Sequence, residues 1–244
     1  FFPFLLLILR LPFSILFFRP DFVHLHMSAD LSWFRKIVIF TISKLLGQRV
    51  FLHPHSGHLP RFIEMSPFPI NRVIRWQFRA SEGVLTLGNK WKKYYEKRFG
   101  LDSRRVHILY NPVERPELGA EIKRDTHTFL FVGKLGENKG SRRILEAYQK
   151  IAISDELPDS RLILCGNGAV KQTKSIIESL NLSNFVEIKG WLDNEDLRGV
   201  YCEASVLLLP SKAEGLPMAL LEAMSYGVVP ITTKVGAIPE IVDR

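Results

Sequence analysis

Two carboxylates stand eight residues apart around a Gly-Leu-Pro turn in the segment Glu214-Gly-Leu-Pro-Met-Ala-Leu-Leu-Glu222. The apolar run Val206-Leu-Leu-Leu209 precedes it and reads as a buried strand that feeds the turn. Pro217 suits the first position of a helix, where a missing N–H costs nothing. The N–H groups near Gly215, Leu216 and Met218 are then free to meet an anion, helped by the helix dipole. Glu214 falls in the loop and Glu222 about one and a half turns into the helix, so both can face one ligand. Anion-binding amides with a carboxylate at each end suit a nucleotide-diphosphate sugar. The amides and nearby cations would take the diphosphate, and each carboxylate would accept hydroxyl protons from a sugar ring. The competing reading is a helix start with an acidic cap and one surface glutamate.

Three further segments carry candidate groups. Phe131-Val-Gly-Lys-Leu-Gly-Glu-Asn-Lys-Gly140 places Lys134 and Lys139 five residues apart on a Gly-bearing loop that opens a helix. Two flexible cations there can clamp a diphosphate and stabilise it as a leaving group. Ordinary solvated loop lysines would look the same. Gly166-Asn-Gly168 is a weaker candidate, because a helix start after a strand often needs glycine anyway. In Lys189-Gly-Trp-Leu192, Trp191 and Leu192 are placed to contact a flat base; the alternative packs the Trp against the sheet.

The first half is rich in imidazole. Six of the seven histidines lie within residues 1–110: His24, His26, His53, His55, His58 and His107. His24-Leu-His26 ends one strand-like run and His53-Pro-His55 the next, and residues at i and i+2 share a strand face. Such pairs on adjacent strands raise a metal-hydrolase reading. No acidic motif completes a metal site, so none is assigned.

The elements that must position these groups alternate β-branched runs with amphipathic stretches, which predicts parallel sheets covered by helices. In the first half the strands are Phe22–His26, Val50–His53, Gly83–Leu87 and Val106–Leu109, with helices at Leu31–Leu46, Ile70–Ala80 and Asn89–Phe99. Tyr110-Asn-Pro-Val113 and the Pro/Glu/Gly stretch to Gly119 read as a linker. In the second half the strands are Thr128–Val132, Arg161–Cys165, Phe185–Ile188, Ser205–Leu209 and Val228–Thr232. Helices follow to about Ile153, to about Leu180 and over Asn194–Glu203. This predicts a doubly wound α/β domain, whose ligands sit beyond the carboxyl ends of the strands. The candidate residues of this half fall at such strand ends.

The charge divides along the same boundary. Residues 1–120 hold 18 Lys and Arg against 8 Asp and Glu, a net +10, while residues 121–244 hold 15 against 17, a net −2. A basic half suits an anionic membrane surface or an anionic substrate. Nucleic acid is not expected, for no binding motif or aromatic-interleaved basic run is present. Cys165 and Cys202 lack metal-ligand spacing and any sign of a disulfide, which suits a reducing cytoplasm. Residues 1–18 are nearly all apolar, but Arg10, Pro3 and Pro12 interrupt them. They match neither a membrane span of about 20 apolar residues nor a signal peptide. The reading is a buried or membrane-surface helix preceding a strand.

The four segments in series, with Gly227-Val-Val-Pro-Ile-Thr-Thr-Lys-Val-Gly-Ala-Ile-Pro-Glu240 after them, resemble the family 4 retaining glycosyltransferases. The resemblance is strong over about residues 127–244 and looser over 20–115. It implies the GT-B fold: α/β, with two Rossmann-like doubly wound parallel-sheet domains facing a central cleft. Residues 1–115 would be the acceptor-side domain without its first strand, and 116–244 the nucleotide-sugar-binding domain without its C-terminal end. By the same resemblance Glu222 holds the ribose hydroxyls and Glu214 those of the transferred sugar. The Gly215 and Leu216 amides approach phosphate and sugar, and Lys139 takes the diphosphate. Lys134 stands where the family usually has arginine, which keeps the charge and loses the bidentate fork. His55 matches the family histidine near the transferred sugar. The catalytic set is then His55, Glu214 and Lys139, and the donor set is Lys134, Lys139, Gly166, Trp191, Leu192, Glu214, Gly215, Leu216 and Glu222. No metal and no cofactor are expected; the partners are a nucleotide-sugar donor and a glycan or lipid-linked acceptor. The setting is cell-surface polysaccharide or glycolipid assembly, in the cytoplasm or on the inner face of the cytoplasmic membrane. A non-catalytic nucleotide-sugar-binding protein and an epimerase on the same fold are the alternatives.

Overall fold

The computed structural model describes residues 2–116, 127–154, 157 and 159–242. The chain forms two compact units, one comprising Phe1–Asn111 with Glu214–Leu216 and the other Pro112–Ala213 with Pro217–Arg244. The expected linker to Gly119 runs beyond the described residues, and Tyr110–Pro116 forms no helix or strand.

In the first unit the order is α1 (Phe2–Phe18), β1 (Val23–Met27), α2 (Leu31–Leu45), β2 (Val50–Pro54), α3 (Leu59–Met65), α4 (Phe68–Ala80), β3 (Gly83–Thr86), α5 (Asn89–Phe99) and β4 (Val106–Ile108). The four strands form one parallel sheet in the order β1-β2-β3-β4. Parallel neighbours need a crossover between them, and the helices supply it. Alternate strand residues Leu25, Met27, Val50, Leu52, Val84 and Val106 are buried with Trp33, Phe40, Phe78 and Phe99 from the helices. A buried bond from Trp33 Nε1 to Gln77 Oε1, 2.8 Å long, satisfies both polar atoms where α2 meets α4. The helix α3 falls between expected elements, since Pro60 near its start hid a turn of only seven residues.

The helix expected at the start of the chain is present as α1, but it is buried only in part. Ile15 is buried and Phe4 and Leu11 pack on the core, while Phe13, Phe17 and Phe18 are 75%, 82% and 74% exposed. An apolar segment this uniform has no polar face to turn outward, so packing one side leaves the other in solvent. Among the described residues no helix is long and apolar enough to cross a membrane.

The second unit runs β5 (Thr128–Val132), α6 (Ser141–Ala152), β6 (Arg161–Cys165), α7 (Val170–Ser179), β7 (Val186–Gly190), α8 (Asn194–Glu203), β8 (Val206–Leu209), α9 (Met218–Ser225), β9 (Val229–Thr232) and α10 (Ile238–Ile241). Its parallel sheet has the order β7-β6-β5-β8-β9. The order reverses at β5, which pairs with β6 on one side and β8 on the other. Leu162, Ile163 and Leu164 are all fully buried, as expected of a strand covered on both faces. Ile144, Leu145 and Tyr148 form the buried stripe of α6, and Asp193 caps α8 by accepting from the Asp196 N–H at 2.9 Å. Pro217 is the N-cap of α9, with extended backbone, rather than its first helical residue. Cys165 and Cys202 are not joined in a disulfide, and burial pushes the Cys165 thiol up to about 12.

Replacing the fully buried Leu207 of β8 by alanine should lower stability by about 2–5 kcal/mol in urea denaturation followed by circular dichroism.

Candidate functional site

Because every strand pair in the second unit is parallel, the carboxyl ends share one edge of the sheet. The loop after β5 carries Lys134 and Lys139, that after β6 carries Gly166, and that after β7 carries Trp191 and Leu192. The loops support one another through their backbones. Leu135 forms an isolated parallel bridge with Gly168, the Gly166 N–H donates to the Gly190 carbonyl, and the Lys212 N–H donates to the Asn138 carbonyl at 2.8 Å. The loops after β5 and β8 flank the position where the strand order reverses, the place where doubly wound sheets open a crevice. Lys134 is exposed and Lys139 half-buried. Trp191 is 73% exposed, so it is not packed against the sheet, while Leu192 does rest on the core.

Glu222 lies in α9, half-buried, and accepts a hydrogen bond from the Tyr201 hydroxyl at 2.9 Å. Burial, then the Glu222 charge, pushes the Tyr201 phenol far up, so it stays a donor. A cavity of about 420 Å³ opens beside them, lined also by Pro112, Val113, Met218 and Tyr226. Tyr201 is itself only 2% exposed. In sequence it reads as one more apolar-face residue of α8, and no local signal marks it as a carboxylate partner.

The other part of the Glu-Gly-Leu-Pro segment, Glu214–Leu216, packs within the first unit beside His55. A Cβ on Gly57 would collide with the Glu214 backbone, and one on Gly215 would collide with the His55 carbonyl. The two loops therefore touch main chain to main chain, which only glycine permits. Trp91 Nε1 donates to the Gly215 carbonyl at 3.2 Å, and Asn111 Nδ2 donates to the Leu216 carbonyl at 2.9 Å. A peptide group points its N–H opposite to its carbonyl. Tying down the Gly215 carbonyl therefore directs the Leu216 N–H the other way, and the carbonyl of Leu216 precedes a proline with no N–H at all. Among the described residues neither the Gly215 nor the Leu216 N–H donates a hydrogen bond. Glu214 is buried. Asn111 falls in the expected linker and Trp91 within the expected helix Asn89–Phe99, and nothing local marks either as a partner of the Glu214–Leu216 loop.

The imidazoles of β1 and β2 also converge. The register sets His26 opposite His53, and His24 Nε2 lies 3.1 Å from His53 Nδ1 while His26 Nδ1 lies 2.7 Å from His55 Nε2. Burial, then the neighbouring imidazoles, lowers His53 to about 3, with the Leu109 carbonyl a weak counterweight. Burial, then His26 and His24, lowers His55 to about 4, opposed by a side-chain hydrogen bond to Asn111. His24 is lowered too, by burial and then His26. His24, His53 and His55 are therefore neutral in neutral solution.

Two helix-covered parallel sheets, the second with its order reversed at β5, match the fold of the GT-B glycosyltransferases. HepE of Anabaena, crystallised with UDP-glucose, has this fold with a TM-score of 0.76, covering 98% of this chain and 66% of its own at 16% identity. Sucrose-phosphate synthase of Thermosynechococcus elongatus gives 0.70, covering 97% and 63% at 17% identity. The profile described as Glycosyl transferases group 1 matches residues 117–244, and that of Glycosyltransferase Family 4 matches residues 2–115. The chain belongs to this glycosyltransferase family. Among curated relatives, the phosphatidylinositol N-acetylglucosaminyltransferase GPI3 subunit of Saccharomyces cerevisiae is 27% identical over 209 residues, 82% of this chain and 45% of that protein. The UDP-Gal:alpha-D-GlcNAc-diphosphoundecaprenol alpha-1,3-galactosyltransferase of Escherichia coli is 25% identical over 236 residues, 89% and 59%. The chain thus spans about half the length of the curated relatives it matches.

Two outcomes are expected. Gly57→Ala should destabilise the first unit by about 1–3 kcal/mol in urea denaturation, because the added methyl meets backbone that cannot yield. In metal-free buffer, stability should be full above the ordinary histidine value of 6.5 and fall as pH drops toward the folded values of about 3 and 4. The unfolded chain takes up protons in that window and the folded chain does not. Urea midpoints at about pH 7.5 and about pH 5 check this, and His55→Asn should flatten the difference.

Proposed function

We propose that this protein is a retaining hexosyltransferase that moves a sugar from a nucleotide-diphosphate sugar to a glycan or lipid-linked acceptor without a catalytic metal. The observation that carries the reading is the placement of Lys134, Lys139, Gly166 and Trp191 on adjacent loops at one sheet edge, beside the strand reversal. Lys139, assisted by Lys134, neutralises the diphosphate as the bond from its oxygen to the anomeric carbon breaks. A bond from the acceptor oxygen forms on the same face of the sugar, and the acceptor proton leaves with the diphosphate. Glu222, held by Tyr201, accepts the ribose hydroxyls, and the face of Trp191 with Leu192 takes the base. His55 and Glu214 attend the transferred sugar, and the outward Leu216 N–H meets an anionic oxygen. Residues 1–115 serve the acceptor and 116–244 the donor. The net charge of +10 over residues 1–120 and the exposed apolar side of α1 support an acceptor presented at an anionic membrane face in glycolipid or polysaccharide assembly.

Thermal unfolding with UDP, GDP and ADP, each with EDTA, tests the donor assignment. One nucleotide at about 100 times its Kd should add about 2.7 kcal/mol, unaffected by chelator. Glu222→Gln should weaken that binding by about 1.5–3 kcal/mol, roughly tenfold to a hundredfold; an unchanged Kd refutes the ribose role. Free sugar product in the absence of acceptor would point instead to an epimerase, and binding with no turnover on any acceptor to a non-catalytic binder.

A further inference from the structure

The imidazole cluster of the first unit has a geometry that sugar transfer does not explain. His24, His26 and His53 each offer a ring nitrogen, and the three atoms lie within 4.8 Å of one another. Two of them, His24 Nε2 and His53 Nδ1, are 3.1 Å apart. Zinc–imidazole bonds of about 2.0–2.1 Å in a tetrahedron put ligand nitrogens about 3.3 Å apart, so this pair is spaced for one ion. His53 is 3% exposed, and its ring lies against those of His24 and His26 at centroid distances of 5.2 and 5.4 Å. The cluster includes no carboxylate, and an all-imidazole donor set favours zinc, copper or nickel over magnesium or calcium.

We infer that His24, His26 and His53 form a binding site for one divalent transition-metal ion, with zinc the best fit, which ties β1 to β2. His24 binds through Nε2 and His53 through Nδ1. His26 uses Nε2, because its Nδ1 is engaged by His55 at 2.7 Å. Water completes the fourth position. The ion has a consequence for His55. With its Nε2 on the metal, His26 carries its hydrogen on Nδ1 and donates it to His55 Nε2. His55 then carries its own hydrogen on Nδ1, facing the Asn111 side chain, whose Nδ2 already donates to the Leu216 carbonyl. The metal thereby fixes one tautomer along a relay that ends at the Glu214–Leu216 loop. The inference does not depend on the transferase reading, since its readout is metal binding itself.

The test uses the whole chain, stripped with chelator and titrated with CoCl2 at neutral pH. One equivalent should bind with the intense visible bands of four-coordinate cobalt; ZnCl2 should displace it and MgCl2 should not. His24→Gln and His26→Gln should each weaken binding about tenfold or more, with an unchanged circular dichroism spectrum. His127→Gln, which alters an imidazole of the other unit, should leave binding as it was. Failure of the parent chain to bind cobalt or zinc overturns the inference. So does binding that survives both β1 substitutions, or that falls equally in His127→Gln.

Discussion

Parallel strand pairing is the constraint from which the rest of this structure follows. A strand that lies parallel to its neighbour cannot be reached by a tight turn, so the chain must cross a face of the sheet and return. Helices make that crossing on both faces, and the strands between them become apolar throughout, as the wholly buried Leu162–Leu164 run shows. Polar groups are costly on such a strand. They are driven to the strand ends, and in a parallel sheet all the carboxyl ends lie along one edge. The candidate residues after β5, β6 and β7 are products of this rule.

Groups gathered at a strand edge still need partners, and here they are supplied by residues of otherwise ordinary roles. Trp91 and Asn111 occupy the carbonyls of Gly215 and Leu216, and Tyr201 occupies one oxygen of Glu222. Each bond satisfies a polar atom that would otherwise be left near the core, and each also sets direction. A loop whose carbonyls are bound inward presents its remaining amide outward without any rearrangement, which is what an anion site needs before its ligand arrives.

Much of this was legible in the residues themselves, and the parts that were not share a cause. The strands Thr128–Val132 and Arg161–Cys165 and the helices Asn89–Phe99 and Asn194–Glu203 match the sequence reading residue for residue, because composition and local periodicity determine them. The convergence of His24 and His26 with His53 was visible only as two i, i+2 pairs; the register between β1 and β2 decided that they meet. Tyr201, Trp91 and Asn111 carry no local mark, since their importance lies in what the fold brings to them from 21, 124 and 105 residues away. The short helices α3 and α10 lie below the length at which apolar periodicity can be recognised.

The membership of Glu214–Leu216 in the first unit bears on how such a gene can be recombined. A crossover near Asn111 looks like a clean boundary between modules, yet it separates Gly57 and the His55 carbonyl from Glu214 and Gly215, which they pack against. A chimera that took its second half from a relative would therefore import a foreign piece of its own first half. An exchange of the second unit must therefore keep that tripeptide with its original N-terminal partner, although it lies between two stretches of the second unit in sequence.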